Sequence, residues 1–127
     1  MGALSNQHAI DLLNTSLRNG TVYLALFNTD PGPDGSGTEV SGTGYSRVAI
    51  TFGSAPTISG GKATLSNTGA VNFGTAGSSW NTVQYWAIFD AASGGQMLWY
   101  GAFSRVKTVE INDSVVVGVG DLVVTLS

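Results

Sequence analysis

The chain has 127 residues, eight of them acidic and five basic, and its net charge at pH 7 is −3. This length suits one domain with its own core, and the lack of cysteine excludes a disulfide framework and a thiolate zinc site. The basic residues are scattered, so the sequence lacks the clustered positive charge that nucleic-acid binding requires.

The N-terminal segment predicts one short α-helix over residues 5–19. Ser5 is a suitable N-cap, and the apolar residues Ile10, Leu13 and Leu17 recur at helical spacing. We expect this helix to cover one end of a sheet rather than to bind a partner. No basic region followed by an apolar core is found at the N-terminus, and no apolar run has transmembrane length. We therefore expect a soluble protein, made in a cytoplasm, that does not bind membranes.

From residue 21 onward the apolar residues follow a period of two, which is typical of β-strands. Turns rich in Gly, Asn, Asp and Ser separate the predicted strands, and one turn is Gly60-Gly61. The strand segments are 21–28, 45–52, 56–67 (two strands), 70–73, 82–90, 96–103, 107–111, 115–119 and 121–126. About nine short strands predict an all-β fold, an antiparallel β-sandwich or flattened barrel, and we expect residues 1–127 to form a single domain.

A long Gly/Pro-rich loop over residues 29–44 separates the first two strands. Asp30, Asp34 and Gly35 match part of an EF-hand calcium loop, but Gly32 replaces a ligand and helices do not flank the loop. Its glycines have P-loop spacing without the required Lys-Ser/Thr pair. We therefore predict a solvated or partner-facing loop without a metal or phosphate. The candidate partner contacts of this region are Asp30, Pro31, Pro33, Asp34, Glu39 and Tyr45.

Residues that usually carry catalysis are sparse. His8 is the single histidine, and no G-x-S-x-G motif is found. Four further carboxylates lie at predicted strand ends, where turns and caps commonly use aspartate: Asp90, Glu110, Asp113 and Asp121. We predict a non-enzymatic protein with no catalytic residues, no cofactor and no metal.

Large aromatic residues are concentrated on two neighbouring predicted strands and in the loop before them. In an antiparallel hairpin, alternation places Tyr85 and Phe89 on one face and Trp86 on the other, and it separates Trp99 from Tyr100. Since only one face is core, we expect some of these rings on the outer face. Charged residues make up only 10% of the chain, so we favour burial by a protein partner over sugar stacking. The candidates are Trp80, Trp86 and Tyr100.

Three blocks cover most of the chain: TVYLALFNTDPGPDGSGTEVSGTGYSRVAITF (21–52), NTGAVNFGTAGSSWNTVQYWAIFDAASGGQMLWYGAF (67–103) and GDLVVTL (120–126). Together they resemble a family of small tailed-bacteriophage virion proteins commonly called phage tail fibre proteins. The resemblance implies a structural protein of the virion.

Two roles are compatible with this resemblance. The chain has no fibre-shaft repeat, and a compact β domain with few charges suits a capsid decoration or cement protein, a class that typically binds between coat subunits as trimers. We therefore expect a homotrimer bound to the major capsid protein. The alternative is a tail or tail-fibre component bound to other tail proteins. It could include a receptor- or glycan-binding module in which an exposed trio, Trp80, Trp86 and Tyr100, stacks on sugars.

Overall fold

In the computed structural model, which describes residues 5–126, Ser5 caps helix α1 (Asn6–Leu13) by accepting a hydrogen bond from the backbone N–H of His8. A π-helical segment, Asn14–Arg18, continues the helix. The predicted short N-terminal helix is therefore confirmed, with a change of pitch in its second half. No helix of residues 5–126 is long and apolar enough to cross a membrane.

Nine β-strands follow within the described residues, which confirms the all-β prediction. Their antiparallel sheets do not close into a barrel. The strands are β1 (Val22–Phe27), β2 (Val48–Ile50), β3 (Thr57–Ser59), β4 (Lys62–Ser66), β5 (Val71–Thr75), β6 (Asn81–Phe89), β7 (Met97–Val109), β8 (Ser114–Val117) and β9 (Val123–Leu126).

The first layer is a four-stranded antiparallel sheet in the order β2-β1-β6-β7. Its inner strand β1 is apolar on both faces, which is typical of a strand covered on both sides. Leu24 and Leu26 point into the main core, whereas Ala25 and Phe27 belong to a second, smaller apolar cluster. The tip of the long loop helps to cover that cluster, since Gly35 lies beside Met97.

The second layer contains two small sheets, β3-β4-β9 and β5-β8. Because β4 leads into β5 and β8 leads into β9, these pairings describe one antiparallel ribbon with a break in the middle. At the break, residues 67–70 face residues 118–122. We call this arrangement the kinked ribbon.

Asn67 joins the two sides of the break from a position that is only 1% exposed. Its Nδ2 donates to the carbonyls of Gly69 and Gly118, both at 2.9 Å. Its Oδ1 accepts from the backbone N–H of Leu122 at 3.0 Å. The side chain thus supplies hydrogen bonds to backbone groups that the interrupted ladder leaves unpaired. Its own buried amide is bonded in the same contacts, as buried polar groups require.

The main core lies between the two layers, and the helical segment contributes Ala9, Leu13 and Leu17 to it. Helix α1 packs against β3 and β4. Arg18 fastens the end of the helical segment because its Nε donates to the Phe52 carbonyl at 2.8 Å. The expectation that the helix covers a sheet is therefore confirmed.

Candidate partner-binding surfaces

The long loop between β1 and β2 is held against the sheet along part of its length. Glu39 forms an antiparallel bridge with Phe27. The backbone N–H of Asn28 donates to Thr38 at 2.8 Å, and that of Val40 donates to Leu26 at 2.9 Å. Residues 38–40 of the predicted loop therefore form a short extension of the sheet, and the tip before them projects.

A polar cluster of Glu39, Tyr45 and Arg47 fixes this loop, and we call it the loop clamp. Arg47 Nε and Nη2 donate to the two carboxylate oxygens of Glu39 at 3.0 and 2.9 Å. The Tyr45 hydroxyl donates to the same carboxylate at 2.6 Å. That hydroxyl also accepts from the backbone N–H of Leu26 at 3.0 Å. The clamp thus joins the second half of the loop to β1.

Arg47 extends the loop clamp to the turn between β6 and β7. Its Nη1 donates to the carbonyls of Ala91 and Gly94, at 3.1 and 2.7 Å. Its guanidinium also lies 3.7 Å from the ring centroid of Phe89, within cation–π range. The guanidinium is fully engaged in these structural contacts, so we assign Arg47 to loop anchoring rather than to anion binding.

The loop clamp also sets the ionisation of its two acidic groups. Burial raises the pKa of Glu39, but the hydrogen bonds from Arg47 and Tyr45 outweigh it and hold the pKa below its usual value. Burial and the adjacent Glu39 carboxylate raise the pKa of the Tyr45 hydroxyl. At neutral pH the cluster therefore contains a carboxylate and a protonated phenol.

The loop tip contains the other predicted contact residues of this region. Asp30, Pro33 and Asp34 are exposed, whereas Pro31 is buried and cannot contact a partner in this conformation. Asp30 Oδ1 accepts from the backbone N–H of Gly32 at 2.9 Å, which is an Asx turn. Within residues 5–126, no three His, Cys, Asp or Glu side chains come close enough to hold a metal ion. A partner contact by the three exposed residues stays a prediction.

The predicted exposed aromatic trio is wrong at two of its three positions. Trp80 is 1% exposed, with its Nε1 donating to the Thr43 carbonyl at 3.0 Å, and Trp86 is 7% exposed. Both rings belong to the main core. Only Tyr100 is exposed, at 41%. The two tryptophans fill the core because small glycines, Gly42 and Gly101, lie directly against their rings.

The alternation argument for the aromatic hairpin is confirmed. Trp86 lies in the main core, whereas Tyr85 and Phe89 belong to the second cluster. Trp99 packs against the main core and Tyr100 faces outward. Alternation separates the rings into two sets correctly, but it cannot show that the outer face of β6 is itself covered.

One side of the sandwich is open. Among the described residues, β7 pairs only with β6, β8 only with β5, and β9 only with β4. Side-chain bonds connect β7 to the kinked ribbon: Trp99 Nε1 donates to the Thr125 carbonyl at 3.4 Å, and Lys107 Nζ to the Ser114 carbonyl at 3.3 Å. We call the gap between β7 and the β8–β9 side of the ribbon the seam. It contains two strand edges without backbone partners in residues 5–126.

A groove of about 510 Å³ runs along the seam, lined by Phe103, Ser104, Arg105, Val116, Val117 and Asp121. A smaller adjoining space of about 120 Å³ reaches Leu26 and Val83 of the first sheet. Leu26 and Val83 belong to the main core. The groove therefore leads from solvent to the apolar interior.

An irregular β-bulge, with four residues of β7 opposite one residue of β6, shapes the β7 side of the seam. Val83 pairs with Lys107 and Tyr85 with Ala102, so residues 103–106 of β7 lie opposite Gln84 alone. The predicted separate strands 96–103 and 107–111 are therefore wrong, because the chain stays extended through the bulge. Bulges of this kind redirect side chains at sheet edges. Here Val106 is 59% exposed and Arg105 lines the groove.

The sequence did not single out the seam or the arginine of the loop clamp. Arg105 and Lys107 lie two residues apart in a chain with only five basic residues, and this local charge was the available signal. Strand order cannot be read from that pattern, so the edge position of β7 emerges only in three dimensions.

A family model described as "Podophage GP4 fiber I protein gp80" matches residues 3–125 of the chain. The chain belongs to this family. No curated protein matches it. Membership of the fiber I family confirms the resemblance to phage tail fibre proteins, and it makes the chain a fibre-type structural component of a phage virion. It supports the tail-fibre alternative better than capsid decoration.

Proposed function

We propose that the chain is a non-enzymatic structural module of a virion fibre or tail, which acts by binding other virion proteins. The family match over residues 3–125 carries this proposal. The open seam and the exposed loop tip give the domain two surfaces for such contacts. The protein is made in the host cytoplasm and is then built into the particle.

In this role, each copy of the chain binds the same site on the assembled virion structure. A protein that binds only the assembled structure stabilises it by its binding free energy at every copy. A single standard-sized interface on each copy is enough for a stable contact. The loop clamp supports this role because it holds the loop tip in one conformation, so less ordering of the loop is needed when a partner binds.

The number of copies per virion tests this proposal against capsid decoration. Quantitative mass spectrometry of purified particles should find the chain at a small fraction of the major capsid protein, as a fibre or tail component requires. Immunogold labelling should place it on an appendage. Hundreds of copies per particle, with labelling spread over the shell, would contradict the proposal and favour decoration.

The homotrimer stays a prediction. Sedimentation equilibrium of the purified chain checks it, and three times the mass of one chain is the expected result. A monomer at micromolar concentration would mean that the chain depends on other virion proteins for any assembly.

A further inference from the structure

We propose that the seam binds an extended segment of another virion protein, which adds a strand between β7 and β8. The segment has apolar side chains at every second position, and it carries at least one carboxylate. The virion origin of the partner rests on the proposed function, whereas its extended shape and its chemistry rest on the seam itself.

The backbone of the seam favours an added strand. Within residues 5–126, β7 and β8 each pair on one side only, so each presents an edge of N–H and C=O groups toward the gap that has no backbone partner, although the Ser114 carbonyl accepts from Lys107. Edges of this kind are the usual templates for strand addition, in which main-chain hydrogen bonds supply much of the affinity. A strand bound between them would pair with both edges and close the open side of the sandwich.

The floor of the seam suits apolar side chains. Phe103 and Val117 line the groove, and the smaller space beyond them reaches Leu26 and Val83. Val116 lies at the rim with 54% of its surface exposed. Successive side chains of a strand point to opposite faces, so every second residue of the bound segment would enter this apolar floor.

The charges of the seam favour a carboxylate in the partner. Within residues 5–126, the guanidinium of Arg105 has no hydrogen bond or ion pair, and Lys107 contacts only a carbonyl. The carboxylate of Asp121, at one end of the groove, accepts from the backbone N–H of Gly118 at 3.1 Å and caps its own turn. Two cations therefore face the gap in a protein whose net charge is −3.

The same charges argue against a second copy of the chain as the occupant. Pairing β7 with the β7 of another copy would bring Arg105 and Lys107 close to their own equivalents. Basic side chains and bulges on an edge strand are known to discourage self-pairing, and this edge has both. An acidic segment of a different protein would pair with the two cations of the seam and also hydrogen-bond to its strand edges.

Binding to particles assembled without this chain tests the inference, with the purified chain as ligand and co-sedimentation as the measurement. Arg105→Glu should lower the bound fraction at least tenfold at a subsaturating concentration, because it reverses an unpaired cation of the seam. Lys62→Glu is the matched control, since Lys62 is an exposed cation on β4, away from the seam. It should bind like the wild type. Thermal unfolding of both variants verifies that they fold.

Photo-crosslinking locates the partner segment. With p-benzoylphenylalanine in place of Val116, we expect a cross-link to an acidic, alternating segment of another virion protein. The same group in place of Ile58 on β3, also exposed, should give no such product. A cross-link from position 116 to a second copy of the chain would overturn the inference.

The two proposals fail in different ways. If the wild type does not bind the particles, the proposed function is overturned and the virion partner with it. If the wild type binds and Arg105→Glu binds equally well, only the seam inference is overturned.

Discussion

At the scale of single residues, the buried side chain of Asn67 is a main support of the second layer. The sequence places it at the last position of a predicted strand, beside a turn, where asparagine is common, and nothing in the pattern shows that it is buried. Its amide instead bonds to three backbone groups on both sides of the break in the kinked ribbon. Burial of this residue depends on partners about fifty positions away in the chain, so local reasoning could not identify it.

Asn67→Ala should lower the free energy of unfolding by about 3 kcal/mol, because it leaves buried backbone groups without partners. Urea denaturation at pH 7 measures the change. Asn72→Ala is the matched control, since Asn72 is exposed and makes one local bond to the N–H of Gly74. Its loss should stay below about 1 kcal/mol. Equal losses in the two variants would contradict the role given to Asn67.

At the scale of elements, strand type was readable from the sequence but strand continuity was not. The period-two pattern predicted β1 and β6 because both have long apolar runs. It divided β7 at Ser104-Arg105-Val106, where polar and exposed residues resemble a loop. The long loop was also predicted, yet its attachment depends on Arg47 meeting Glu39 across the fold. Distant pairings of this kind have no local signature.

The loop clamp should make stability depend on pH. The folded-state pKa of Glu39 lies below its unfolded value of about 4.3. Its contribution is therefore present above that pH and is lost as the pH falls through the folded pKa. Glu39→Gln should cost about 2 kcal/mol at pH 7, and the difference from the wild type should shrink toward pH 3.

Chemical denaturation of both proteins at pH 7 and pH 3 measures this effect. Glu110→Gln serves as the control, since Glu110 is exposed and its carboxylate has no partner within residues 5–126. It should leave the stability nearly unchanged at both pH values. A pH-independent difference between Glu39→Gln and the wild type would show that the carboxylate contributes through packing alone.

At the scale of the whole molecule, the sandwich is firmly paired at its centre and open along the seam. In the described part of the chain, β1 and β6 have neighbours on both sides, whereas β7 and β8 have one each. The composition indicated that partners cover part of the surface, and the strand order shows where backbone groups remain available. The composition gives no location for such a surface, and the strand order supplies one.

Amide hydrogen exchange of the free protein should follow this division. We expect the slowest exchange in β1 and β6, and much faster exchange in residues 103–106 and 118–122, because local opening is easier where backbone pairing is interrupted. Peptide-resolved mass spectrometry measures it within one sample, with the central strands as the internal reference. Protection of residues 103–106 equal to that of β1 would contradict an open seam.

The kinked ribbon also limits how the length of the chain can change. At the break, four residues (67–70) lie opposite five (118–122), and a few residues later β5 has one extra residue, Phe73, between the pairs of Asn72 and Gly74. The two offsets have opposite sense and cancel, so the ribbon leaves the region in the register in which it entered. A one-residue deletion on either side alone would turn alternate side chains from core to solvent. Viable insertions and deletions in relatives should therefore occur as compensated pairs across the ribbon.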